Sequence, residues 1–193
     1  MQQYPAVGKY FLHGFVLICV IILADQYTKW WVIDHMLRLT PSGGGFFDWL
    51  VTSKKIEFFI NEREVFKTAV LAPFLNFVMV WNQGISFGMF DTNSSGMSLA
   101  LIALSLTLSL LMLIWIFMAT QKRLALPLGM IIGGALANVL DRIRFGAVAD
   151  FIDVHVGPYH WPAFNLADSG ITAGAAILIL GTFIGDRGKN GKI

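Results

Sequence analysis

Charge is scarce in this sequence. Only 13% of its 193 residues are Asp, Glu, Lys or Arg, against 56% hydrophobic; soluble domains carry about 25% charged residues. That shortage excludes an ordinary water-soluble domain and points to a chain that lives in a bilayer. Neither sign dominates: the net charge is +2 and no basic tract occurs, so nothing marks a nucleic-acid partner. Cysteine is nearly absent too. The single Cys19 lies in an apolar run, which excludes an intrachain disulfide and reads as a small buried or lipid-facing residue. The four histidines, His13, His35, His155 and His160, show no metal-ligand spacing, so no metal and no cofactor is expected. His-Glu-x-x-His and a phosphate-binding loop are missing, which removes the common zinc and nucleotide chemistries. No internal repeat occurs, unlike many transporters.

What is there instead is a set of long apolar runs. A membrane-spanning helix needs about 20 mainly apolar residues, and four segments qualify, at about 10–33, 98–120, 124–143 and 165–185. The first is too long, and too polar at its far end, for a cleaved leader, and is expected to be a permanent span. Gly129, Gly133 and Gly134 in the third would let neighbouring backbones approach closely. Lys9, Lys122, Arg123, Arg187, Lys189 and Lys192 fall on one side if both termini are cytoplasmic, the arrangement that the distribution of positive charge favours. Trp30, Trp31 and Trp161 stand at the expected outer boundary, where indoles suit the interface, although packing inside a bundle is the competing reading. The outer connection, residues 34–97, is irregular. It opens with a Pro-Ser-Gly-Gly-Gly break at 41–45; residues 54–70 fit an amphipathic helix or a strand pair; residues 74–81, continued over 84–90, are β-prone and predict a small antiparallel sheet on the membrane surface.

Polar residues gather at that same boundary. Asp25 and Lys29 are four apart, Asn138 shares a helix face with Asp141 and Arg142, and Asn165 and Asp168 are three apart at the head of the last span. For Asp25, Lys29, Asp141 and Arg142 a role as interface anchors competes evenly with a role in a site. Asp150 and Asp168 have no obvious local cation, and a carboxylate near hydrocarbon is a functional hypothesis by default. If the two converge, they cannot both ionise cheaply and share a proton. The ionised one can deprotonate a water and the protonated one can donate to the carbonyl under attack, which is peptide hydrolysis without a metal or a covalent intermediate. Asp168, near a helix N-terminus, is expected to be the base; Asp150, among apolar neighbours, the acid.

Five ordered blocks carry a resemblance: Asp25-Gln26-Tyr27-Thr28-Lys29, Asn82-Gln83-Gly84-Ile85-Ser86-Phe87-Gly88, Asn138-Val139-Leu140-Asp141-Arg142, Val148-Ala149-Asp150-Phe151 and Phe164-Asn165-Leu166-Ala167-Asp168-Ser169. Together they resemble the lipoprotein signal peptidases (signal peptidase II) of bacterial inner membranes, over nearly the whole chain. The resemblance implies a single membrane peptidase domain over residues 1–193. Its fold would be four transmembrane helices, a small extracytoplasmic antiparallel sheet and a short interfacial helix. It implies cleavage of diacylglyceryl-modified prolipoproteins before the lipidated cysteine, by a monomer in contact with membrane lipid. The site would lie near the outer face. Asp150 and Asp168 match the catalytic pair; Asp25, Lys29, Asn82, Gly84, Asn138, Asp141, Arg142 and Asn165 match supporting or substrate-binding positions. Two departures stand out: Ser86 replaces the usual Ala, and residues 41–73 are longer than the family's first loop. Rival readings are a small membrane transporter and a non-catalytic assembly factor; a presenilin-type protease lacks support because no Gly-x-Gly-Asp block occurs.

Overall fold

The computed structural model describes residues 8–37, 39, 45–51, 68–84 and 95–187. Its long helices are α1 (Phe11–Trp30, extended by a π-helical turn, Trp31–Met36), α3 (Ser95–Phe117), α4 (Lys122–Phe145) and α5 (Leu166–Arg187). Three stretches are long and apolar enough to cross a membrane: Phe11–Met36, Gly96–Phe117 and Lys122–Phe145; α5 contributes a shorter apolar stretch, Leu166–Gly181. The helix limits differ from the apolar runs by a few residues, because hydrogen bonding rather than hydropathy ends a helix. After Phe117 the chain tightens, with Met118 bonding back to Trp115 and Ala119 to Ile116, the three-residue spacing of a closing turn. At the other end of α4, Gly146 takes the left-handed conformation (φ 85) and donates its N–H to the Arg142 carbonyl, a glycine C-cap that turns the chain straight into a strand.

α4 is the central helix, with α1, α3 and α5 packed around it. The glycines do what their placement predicted. A Cβ on Gly129 would stand 2.7 Å from the Gly14 carbonyl oxygen of α1, and one on Gly134 would stand 2.3 Å from the Ala167 carbonyl oxygen of α5. Between the helices Ile18, Ile116, Leu128 and Ile132 form one buried cluster. α3 is the most exposed of the long helices, turning Leu99, Leu104, Leu108, Leu111 and Trp115 outward.

Four antiparallel strands form one sheet, in the order β1 (Ala69–Ala72), β2 (Leu75–Asn82), β3 (Val148–Val156) and β4 (Tyr159–His160). β2 is the strand expected over 74–81. Its partner β3, which carries Asp150, had no such expectation. Between Phe77↔Ile152 and Val80↔Asp150 the register slips by one residue, a bulge of the kind that re-aims side chains beside functional sites. Under the sheet a second core gathers Val32, Ile33, Leu37, Met79, Phe145 and Phe151 with Trp49, the buried residue of a short helix α2 (Phe46–Val51). Trp31 and Trp161 are exposed, whereas Trp30 packs against Tyr27, His35 and Phe46. The expectations for 54–67 and for 85–90 lie outside the described residues.

Candidate active site

Asp150 and Asp168 reach one site from different kinds of element. β3 follows α4 directly, and its register with β2 sets Asp150 opposite Val80. Past β4 the chain returns, and Phe164 pairs with Ile152 through two backbone bonds (2.8 and 3.1 Å). That pairing delivers Asn165, and with it the first turn of α5, to the flank of Asp150.

Amides hold both carboxyl groups. Asp150 accepts from the Asn165 amide on Oδ1 (2.8 Å) and from the Asn82 amide on Oδ2 (3.2 Å). Asp168 accepts from the Asn138 amide on Oδ1 (2.8 Å) and from the Asn165 backbone N–H on Oδ2 (3.3 Å). Asn165 also accepts the Asp168 N–H on its side-chain oxygen (2.8 Å), so the two form a reciprocal capping box that starts α5. The Gly84 N–H donates to Asn82 Oδ1 (3.2 Å), which turns that amide's nitrogen toward Asp150. Burial, and next the negative charge of Asp168, push the Asp150 carboxyl up to about 7, against the opposing Asn82 bond and the positive charge of Lys29. Arg142, half-buried, brings its charge near Asp141, Asp150 and Asp168 and makes a long bond (3.4 Å) to the Asn138 carbonyl.

Beneath the amides lies a sealed ionic layer. The Lys29 ammonium stands 2.7 Å from Asp25 and 2.6 Å from Asp141, with all three side chains fully buried. All three are interior groups of the fold. Asp25 accepts the Ala167 N–H (2.9 Å) and Asp141 accepts the Ala149 N–H (3.1 Å). Each of those alanines immediately precedes one of the two site aspartates. One ammonium therefore ties together the backbone that carries Asp150 and the backbone that carries Asp168.

All ten residues singled out from the sequence meet here. Sequence reasoning missed three neighbours. Gln26 donates to Asp141 Oδ1 (2.7 Å), Arg144 donates to Gln26 Oε1 (2.7 Å), and Trp49 lies against Arg144. Gln26 shares a helix face with Lys29, and Arg144 follows Asp141 by three, so helical spacing could have flagged both. Trp49, in a separate short helix, carried no comparable signal.

Such a site can do acid–base chemistry on a bound carbonyl: two carboxyls, one of them, Asp150, with a raised proton affinity, oriented by neutral amides and backed by a fixed cation. Comparison with known proteins agrees. The family model for signal peptidase (SPase) II matches residues 17–184. The lipoprotein signal peptidase of Polynucleobacter necessarius is 42% identical over 183 residues, covering 94% of this chain and 95% of that one. That of Methylorubrum extorquens is 46% identical over 110 residues, covering 57% of this chain and 64% of the relative. A bacterial membrane enzyme solved by the in meso method at 2.3 Å resolution shares the fold, with a TM-score of 0.69 over 99% of both chains at 19% identity. By the reach of the family model and by its relatives, the chain belongs to the signal peptidase II family of aspartic peptidases.

Proposed function

We propose that this protein removes the signal peptide from diacylglyceryl-modified prolipoproteins, cutting before the lipidated cysteine with Asp150 and Asp168 as its catalytic pair. The observation that carries the reading is the convergence of these two carboxyls, each gripped by amides, with Asp150 pushed to about 7. In the first step Asp168 takes a proton from a water as its oxygen bonds to the scissile carbonyl carbon, and the proton on Asp150 passes to the carbonyl oxygen. In the second, Asp168 returns its proton to the leaving nitrogen, the C–N bond breaks, and the diol gives a proton back to Asp150. Both carboxyls end as they began, and the products are a carboxylic acid and a free α-amine. Arg142, with Asn138 beside it, orients the substrate or the pair without itself transferring protons, since neither side chain titrates near neutrality.

The same proposal extends to placement: four spans in a bacterial inner membrane, both termini cytoplasmic, and the site near the outer face. Length supports α5 as the fourth span, since its 22 residues reach about 33 Å at 1.5 Å per residue, against a hydrocarbon core of about 30 Å. Lys9, Lys122, Arg123, Arg187, Lys189 and Lys192 all fall on the proposed cytoplasmic side, and long loops such as the one holding Arg38, Lys54, Lys55, Arg63 and Lys67 weigh little, which supports the orientation. A site at the boundary suits a substrate whose acyl chains stay in lipid while its peptide bond meets water. A working monomer and a single domain over residues 1–193 complete the proposal. A transporter would string its polar groups along a path; here they close around two carboxyls.

The test is cleavage of a purified diacylglyceryl-modified prolipoprotein in nanodiscs by the wild type and by Asp168→Asn. Cleavage before the lipidated cysteine by the wild type alone is the expected result. A folded wild type that leaves several such substrates uncut would overturn the assignment.

A further inference from the structure

Arg144 sits one turn beyond Asp141, buried away from the amides that hold the two aspartates. Its guanidinium lies over the Trp49 ring (4.0 Å to the centroid) and near the Phe145 ring (4.6 Å). One of its nitrogens donates to the Trp49 carbonyl and the other to Gln26 Oε1 at 2.7 Å. Trp49 is the buried residue of α2, so Arg144 seats that helix against the end of the bundle. The contact does not stop there. Gln26 donates to Asp141 Oδ1 (2.7 Å), and Asp141 Oδ2 accepts the N–H of Ala149, the residue before Asp150 (3.1 Å).

The chemistry of these groups gives the chain a direction. Arginine has only donors, while a glutamine amide has a donor end and an acceptor end. With Arg144 holding the oxygen, the nitrogen of Gln26 must face Asp141. Without Arg144 the Gln26 oxygen loses that donor. Only the bonds from its nitrogen to Asp141 (2.7 Å) and Asp25 (3.3 Å) then hold the amide, so Gln26 can shift and loosen the acceptor that fixes the β3 backbone. We propose that Arg144 is a positioning residue: it couples the seating of α2 on the bundle, through Gln26 and Asp141, to the placement of Asp150. This rests on the reading of Asp150 as half of the catalytic pair.

The experiment uses the full-length protein in nanodiscs with a diacylglyceryl-modified prolipoprotein, measuring kcat, KM and the pH profile. Arg144→Ala is expected to lower kcat roughly tenfold or more with little change in KM, the pattern of misplaced groups rather than lost binding, and to displace the limb near pH 7. Arg144→Lys keeps the charge but not the planar stack or the fork of donors, and recovers only part of the rate. Trp49→Leu keeps an apolar side chain in the core and strips the stacking surface; its effect has the same sign and is smaller, and it carries the test if Arg144→Ala does not fold. In the double variant, Trp49→Leu adds little to Arg144→Ala, because both act through one chain of contacts. Asp150→Asn separates the two readings. If it cleaves normally, the catalytic pair is wrong. If it is inactive while Arg144→Ala or Trp49→Leu melts earlier with kcat and the pH profile unchanged, Arg144 is only a brace and the coupling is overturned.

Discussion

Asn165 and Asp168 grip each other at the head of α5: the asparagine side chain accepts the aspartate N–H at 2.8 Å, and the aspartate carboxyl accepts the asparagine N–H at 3.3 Å. The asparagine amide then reaches Asp150 at 2.8 Å. A helix start and the spacing of two carboxyls are thus one piece of structure. Asn165→Ala should cost about 1 kcal/mol for the lost cap and slow cleavage by roughly 10²-fold, the size expected when reacting groups move by about an ångström. Thermal unfolding in detergent and cleavage kinetics would check both; a variant that loses the cap energy but cleaves at the wild-type rate would remove Asn165 from the site.

The raised proton affinity of Asp150 predicts a pH dependence. With its carboxyl pushed to about 7 from an ordinary 3.8, the folded state holds this proton more tightly than the unfolded one. The associated stability is full below about pH 4 and is lost as pH rises toward 7. Asp150→Asn removes the titration, so relative to wild type the variant should gain stability between pH 5 and pH 8, by a few kcal/mol at most. In the wild type, cleavage should fall as pH rises through about 7, because the proposed acid loses its proton. Matched melting curves at the two pH values test the first claim; a stability difference independent of pH would contradict it.

Lys29 neutralises two buried carboxylates at 2.7 and 2.6 Å. Lys29→Met leaves them facing each other without a cation, and breaking a buried ionic group in this way costs about 3–5 kcal/mol. Adding Asp25→Asn and Asp141→Asn should restore only part of the loss: each amide keeps an oxygen for the Ala167 or Ala149 N–H, but at position 141 its NH2 then faces the Gln26 amide nitrogen. Chemical or thermal unfolding of the single and triple variants gives the comparison, and equal stability of Lys29→Met and wild type would refute the clamp.

Gly134→Ala probes the packing beneath the site. Its Cβ would lie 2.3 Å from the Ala167 carbonyl oxygen, so α5 must shift where it carries Asp168. Loss of most cleavage activity is expected, with destabilisation of about 1–3 kcal/mol for an overpacked contact. Gly181→Ala, whose Cβ meets nothing within 4 Å, should leave melting unchanged and serves as the control.

Much of this was legible from residue order. Long apolar runs predicted the helices, the glycines predicted the tight contacts of α4, and helical spacing grouped Asp25 with Lys29 and Asn138 with Asp141. Strand β3 was not legible, because its alternation is broken by Asp150 and Asp153 on a surface buried by long-range pairing with β2. Nor was the burial of Lys29: spacing shows that Lys29 and Asp25 can pair, but only the return of Asp141 from α4 shows that the pair is sealed. Trp49 reaches the site network through a contact 95 residues away in sequence, beyond the range of any local pattern.

Placing one aspartate on a strand and the other on the last helix has a consequence for biogenesis. Asp150 is made before α5, and Asn165, which bonds both carboxyls, stands at the threshold of that helix. Until α5 packs on α4, the nascent chain holds only one of the two carboxyls proposed as the acid–base pair. On that reading, proteolytic competence waits for the docking of α5 on α4.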